Sequence, residues 1–209
     1  LLLLYIFFII PVIISTSSRG AVLALCVVAI GYTIVFLKSI KKTIILIIVA
    51  GFVLWLISFF VPEESLMRLS ATFKDTTGSG RIDIWRLAWI LGTSSPFLGH
   101  GSGTFTYLNG GLQAHSTFFS IWVELGIIGL GLWSLFWIFH FKKVISIKPL
   151  NINDNVLRIA LLLSLAALLI GALTVNWEIR KQIFIVCGLI IVFHAILKAN
   201  PIANQFRNE

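Results

Sequence analysis

The sequence predicts an all-α, polytopic transmembrane helical bundle of about six spans, with a long outward-facing loop that contains an interfacial helix. Three observations lead there. Of 209 residues, 58% are hydrophobic and 11% are charged, against roughly 45–50% and 25% in soluble domains. Mean hydropathy is +1.02, and 17 Phe with 7 Trp carry more apolar surface than a soluble fold of this length can hide. The apolar residues fall in runs of membrane-crossing length without the two-residue alternation of a barrel. A secreted disulfide scaffold, a disordered chain and a nucleic-acid module are excluded. In such a chain the net charge of +8 means basic loops on one membrane face, or sites for anionic ligands. Cys26 and Cys187 both lie inside apolar runs and read as buried apolar side chains with no disulfide or metal role.

The expected spans are 1–15, 20–37, 43–61, 117–140, 156–175 and 182–197. The first starts within an apolar run, without an initiating Met or a basic flank, as expected of one membrane domain (1–209) cut at its N-terminal side within a span. Orientation follows the basic residues of short loops. Lys38, Lys41, Lys42, Lys142, Lys143, Lys148, Lys198 and Arg207 fall on one side, while Arg19, Arg180 and Lys181 fall on the other. The richer side is the cytoplasm, which places the 62–116 loop outside. Long loops cross whatever their charge, so Arg68, Lys74, Arg81 and Arg86 do not disturb this assignment. Within that loop, Arg81 to Leu91 mixes apolar and charged residues at helical spacing. Gly78-Ser79-Gly80 precedes it and Ser94-Ser95-Pro96 ends it, so it reads as an interfacial helix folding back over the spans as a lid. A glycine-rich turn, Gly99-His100-Gly101-Ser102-Gly103, follows.

A few polar residues stand out against this background. Arg19 sits in Ser15-Thr16-Ser17-Ser18-Arg19-Gly20 between two spans with almost no loop. Near the membrane centre an arginine costs about 2.5–3.5 kcal/mol on insertion scales. It therefore either snorkels at the span end or grips an anion in an outward cavity, with the hydroxyls beside it sharing that task or capping the helix. Arg81 opens the interfacial helix. It either touches lipid phosphates or holds a phosphate oxygen pair with its planar fork. Arg86 stands beside Asp83, where a local ion pair suits it better. His115 ends the loop at the mouth of the fourth span, as a capping residue or as a base meeting a polar substrate. His140 and His194 read as packing or interface residues and His100 as an exposed turn residue. Glu124, inside the fourth span, needs a partner, and an arginine is the natural one. Gly126, Gly129 and Gly131 would let another helix approach closely. Glu178 and Arg180 can line the same mouth. There is no Walker A lysine, no Asp-x-Asp pair and no His/Cys/Asp cluster at metal spacing, so the driving energy must arrive stored in the substrate.

The ordered set Ser18-Arg19-Gly20, Gly80-Arg81 with Trp85, Pro96 with Gly99, Gly101 and Gly103, His115, and Glu124-x-Gly126-x-x-Gly129 resembles the bacterial O-antigen ligase and O-antigen polymerase family. The resemblance spans residues 15–131. The family's usual His-Asn at the loop end is here His115-Ser116, which leaves the second residue's role open.

The resemblance implies a glycosyltransferase of the cytoplasmic (inner) membrane, facing the periplasm or exterior. Its donor would be an oligosaccharide on polyprenyl (undecaprenyl) pyrophosphate, and its acceptor a glycan or glycolipid. Membrane lipids would surround it, and metal, other cofactors and nucleic acid would have no part. His115, Arg81 and Arg19 would be catalytic, and Ser18, Trp85, Gly101, Gly103 and Glu124 would bind substrate. Two arginines can supply countercharge as pyrophosphate departs, while the imidazole takes the acceptor hydroxyl's proton. The rival from another class is a transporter or flippase of anionic lipid-linked glycans, which would use the arginines only to bind. A third reading is a non-catalytic scaffold subunit, which has little need of arginines and a histidine on one side.

Overall fold

The computed structural model describes residues 19–36, 80–176 and 180–199, with isolated positions at 44, 48, 51 and 67. Among the described residues all regular structure is helical, in the order α1 (Arg19–Phe36), α2 (Arg81–Ser94), α3 (Thr104–Leu108), α4 (Thr117–Ile145), α5 (Ile152–Thr174) and α6 (Lys181–Ala199). α4, α5 and α6 are each long and apolar enough to cross a membrane. The expected spans 1–15 and 43–61 lie outside the described residues, apart from three isolated positions. The chain divides into two compact units, Leu1–Asp83 and Ile84–Glu209.

In the first unit, α1 covers the second expected span almost residue for residue. Leu23, Ile30 and Tyr32 on it are exposed, as lipid-facing side chains would be. Thr33 returns its hydroxyl to the Ala29 carbonyl at 2.7 Å, which satisfies a polar group inside an apolar helix.

The second unit is built on α4, α5 and α6. Trp137, Val144, Leu161, Leu165, Ala172, Ile183, Cys187 and Ile190 form their shared core. The buried Cys187 matches the sequence reading, whereas Cys26 is exposed on α1. α5 begins one turn before the apolar run, because Asn151 caps it. The Asn151 side chain accepts from the Asp154 amide at 2.9 Å, and Asp154 accepts from the Leu150 amide at 3.1 Å. This reciprocal cap satisfies amides that a helix start leaves bare. α4 runs past the expected end at His140 to Ile145, its last turn carrying Lys142 and Lys143 against the negative end of the helix dipole. His140 is buried and donates from Nδ1 to the Phe136 carbonyl at 2.8 Å, a packing role.

A second, smaller cluster of Ala88, Phe105, Ala114 and Val123 joins α2 and α3 to the first half of α4. Trp85 stacks on Phe119 with ring centres 5.5 Å apart, and Trp89 on Trp122 at 6.2 Å. The Trp122 indole lies directly on Gly92, where any Cβ would collide with it. From Ile84 onward, α2 thus folds back onto α4.

α4 is broken at Gly126, whose φ of 63° and ψ of −161° lie in a region essentially reserved for glycine. In an unbroken helix the Ile127 and Ile128 amides would donate to the Val123 and Glu124 carbonyls. Here the 96–101 loop occupies the gap and takes both sides of both rungs. Ile127 donates to the Pro96 carbonyl at 2.8 Å and Ile128 to that of Phe97 at 3.4 Å; the His100 and Gly101 amides donate to the Val123 and Glu124 carbonyls, each at 2.9 Å. The expectation that Gly126 admits a neighbouring helix is corrected: it admits a loop. A Cβ at Gly126 would strike the Phe97 carbonyl, and one at Gly99 the Glu124 carbonyl. Gly131 meets nothing within 4 Å, so it serves no close approach within the described chain.

Candidate functional site

At the end of the α4–α6 bundle where α4 begins and α5 passes into α6, the second unit contains an open cavity of about 860 Å³. This falls within the roughly 300–1,000 Å³ usual for ligand sites. Its lining divides by chemistry. Ser102, Gly103, Thr106 and Gln113 come from the loop region, and Asn176, Arg180, Lys181 and Gln182 from the passage into α6. One stripe of α4 completes it: Ser120 and Glu124 give a polar edge, while Ile121, Leu125, Gly129 and Trp133 give an apolar floor. Residues four apart on a helix share a face, which pairs Ser120 with Glu124 and Ile121 with Leu125 before the break, and Gly129 with Trp133 after it. Hydroxyls, amides, both signs of charge and an indole in one hollow suit a ligand with many hydroxyls and an apolar ring face.

His115 stands where the chain enters α4, with φ of 51°, a left-handed conformation costly for most L-residues. Its neighbours hold it there. Trp85 Nε1 donates to the Ala114 carbonyl at 2.9 Å. The Ser116 amide donates to Asn176 Oδ1 at 3.2 Å, and Thr117 Oγ1 to the Val175 carbonyl at 3.0 Å. Ala114, Ser116 and Thr117 are all buried, whereas His115 is half-buried. The backbone on both sides of His115 is therefore held, from α2 at Ala114 and from the end of α5 at Ser116 and Thr117. Gln113 and Ser120, the cavity residues nearest to it in sequence, flank it; His115 itself is not part of the lining.

The other sequence candidates find distinct places. Trp85 anchors the backbone beside His115, and Gly103 and Glu124 line the cavity. The Gly101 amide is committed to the Glu124 carbonyl, so it supports the helix break. Among the described residues no arginine pairs with Glu124. His100 is exposed, as expected, yet its Nε2 lies 2.9 Å from the Leu91 carbonyl and 3.0 Å from Ser94 Oγ, tying the turn to the end of α2. Arg81 is the first residue of α2 and half-buried, and Arg19 the first of α1. Both belong to the Leu1–Asp83 unit. Ser18 and Glu178 lie outside the described residues. Among the described residues no three of His, Cys, Asp and Glu gather as metal donors.

Sequence reasoning missed Asn176, Lys181, Gln113, Ser120 and Trp133. Asn176 carried a faint signal, being a polar residue just past the end of a span. The rest have no local signature, because the cavity exists only once the α4, α5 and α6 ends meet.

Fold and site together define a helical membrane protein with a polar, partly charged cavity at one bundle end and a backbone-anchored histidine beside it. A family model described as O-antigen ligase matches residues 4–134, a span that includes Arg19, Arg81, His115 and the α4 break. The chain belongs to the O-antigen ligase family. Membership implies activity of ligase or polymerase type, with lipid-linked oligosaccharides and glycan acceptors as partners in general. No curated protein and no solved structure matches the chain.

Proposed function

We propose that the protein transfers or polymerises glycan from a polyprenyl (undecaprenyl) pyrophosphate donor onto an acceptor sugar, at the outer face of the cytoplasmic membrane. The observation that carries this reading is His115, held left-handed by its anchored neighbours where the polar cavity adjoins α4. Strained residues persist only where surrounding structure over-determines them, and they cluster at working sites. In the proposed step the acceptor hydroxyl gives its proton to the His115 imidazole. The oxygen attacks the donor's anomeric carbon, and the bond to pyrophosphate breaks with its electron pair leaving on the phosphate oxygen. Attack opposite the leaving group inverts the anomeric centre. Arg19 and Arg81 take up the pyrophosphate charge as it develops, and Ser18 assists Arg19. Trp85 fixes the backbone at Ala114, while Gly103 and Glu124 help to form the glycan cavity; Gly101 acts through the helix break. The leaving group makes the step favourable without a nucleotide, and the proposal includes metal independence.

A defined lipid-linked oligosaccharide given to purified full-length protein, with competing acceptors, tests this by mass analysis of products. Longer or transferred glycan is expected, including in chelator. His115→Ala and Arg81→Ala should each lower the rate by at least about 100-fold, with thermal stability close to wild type for Arg81→Ala and lowered by about 1–2 kcal/mol for His115→Ala. Normal turnover by His115→Ala, or activity abolished by chelator, would defeat the mechanism. A second reading, translocation with no bond made, draws on the break in α4, since discontinuous helices form the binding sites of many transporters. Unaltered glycan on the far side of proteoliposomes would favour it.

A further inference from the structure

Three charged side chains face the cavity without ion-pair partners among the described residues: Arg180 and Lys181 beside the start of α6, and Glu124 on α4. Glu124 is half-buried within α4, and an ionisable side chain inside a span commonly marks a ligand path. Arg180 and Lys181 are exposed side by side on one wall of the hollow, where an anion can replace their water. Arg180 offers a planar fork for two oxygens, and Lys181 a mobile point charge. The positive end of the nineteen-residue α6 adds to the same field. Glu124, as a carboxylate, only accepts hydrogen bonds, so it suits hydroxyls on the same ligand. Trp133 at the floor offers an aromatic face to a sugar ring.

From this we infer that Arg180 and Lys181 form an anion subsite in the cavity wall, for a carboxylate or phosphate group of the lipid-linked glycan, with Glu124 accepting from its ring hydroxyls. The identity of the ligand as glycan rests on the proposed transfer reaction; the anion subsite rests on the cavity alone. Arg180 and Lys181 then set which substrates bind, while Arg19 and Arg81 remain assigned to the transfer step.

The test is equilibrium binding by calorimetry to the full-length protein in detergent, with three probes. They are a tetrasaccharide containing one glucuronate, its all-neutral glucose counterpart, and inorganic pyrophosphate. Replacing both Arg180→Ala and Lys181→Ala should weaken an anionic probe at least about tenfold, as loss of a charge-assisted hydrogen bond does. The neutral tetrasaccharide should bind as before. The pair Arg180→Lys and Lys181→Arg should retain most of the affinity and confirm that the site is intact. Selective loss of the glucuronate probe assigns the anion to the sugar, and selective loss of pyrophosphate assigns it to the lipid carrier. Unchanged binding of both anions, or equal loss of all three probes, overturns the subsite. Binding needs no turnover, so a protein that binds the anion through these residues but transfers nothing would defeat only the transfer reaction.

Discussion

At His115 a single backbone angle ties stability to function. Most side chains pay about 1–2 kcal/mol to sit left-handed, while Asn and His tolerate that region better than branched residues do. His115→Asn should therefore unfold within about 0.5 kcal/mol of wild type, whereas His115→Val should lose at least 1–2 kcal/mol more, from crowding at its Cβ. Chemical denaturation in mild detergent measures both. Asn can neither take nor deliver a proton near neutral pH, so turnover should vanish in both variants alike. Equal stability of the two would mean that His115 does not hold its left-handed φ in solution. Equal turnover by His115→Asn would mean that the imidazole moves no proton.

The break in α4 is the element-scale counterpart of that strain. Four backbone hydrogen bonds to the 96–101 loop stand in for two helical rungs, so no amide or carbonyl is abandoned at a cost of about 1–3 kcal/mol each. Gly126→Ala should cost at least about 2 kcal/mol, because its φ excludes a Cβ and the Phe97 carbonyl cannot yield. Gly131→Ala, facing open space in the same helix, should be neutral or stabilising by up to about 1 kcal/mol. Identical melting shifts for the two would show that the loop does not occupy the break. The contrast also measures how far the chain could be read unaided. Length and hydropathy determine a lone helix's existence and ends, so α1, α5 and α6 were legible to within a few residues. The polar first turn of α5 and the basic last turn of α4 were misjudged, since both lie outside the apolar runs. Gly126, Gly129 and Gly131 look alike in sequence, yet one breaks the helix, one lines the cavity and one faces nothing. That difference comes from partners far along the chain. The same holds for the site: His115 and Glu124 announce themselves as polar residues at or within a span, but Asn176 matters only because the end of α5 reaches Ser116.

For the molecule as a whole, function depends on which way the cavity end faces. Lys142 and Lys143 complement the C-terminal dipole of α4, worth about 0.3–1 kcal/mol each, and that would hold in either orientation. Lys148, in the turn beyond, caps no helix end and so speaks to topology alone. At the opposite end, Arg180 and Lys181 have a local use as ligand groups, so they need not mark a cytoplasmic surface. On this remaining bias we propose that the α4–α5 turn lies inside and the cavity outside. Single cysteines in a Cys26→Ser, Cys187→Ala background test this with a membrane-impermeant maleimide on intact cells. Tyr107→Cys, at an exposed position of α3, should label on intact cells, and Lys148→Cys only after lysis. The reverse pattern would turn His115 toward the cytoplasm and remove transfer at the outer face, while leaving the helix break and the anion subsite intact. Loss of labelling at Tyr107→Cys when the lipid-linked donor is added would further tie the α3 region to an occupied cavity, since Thr106 beside it is part of the wall.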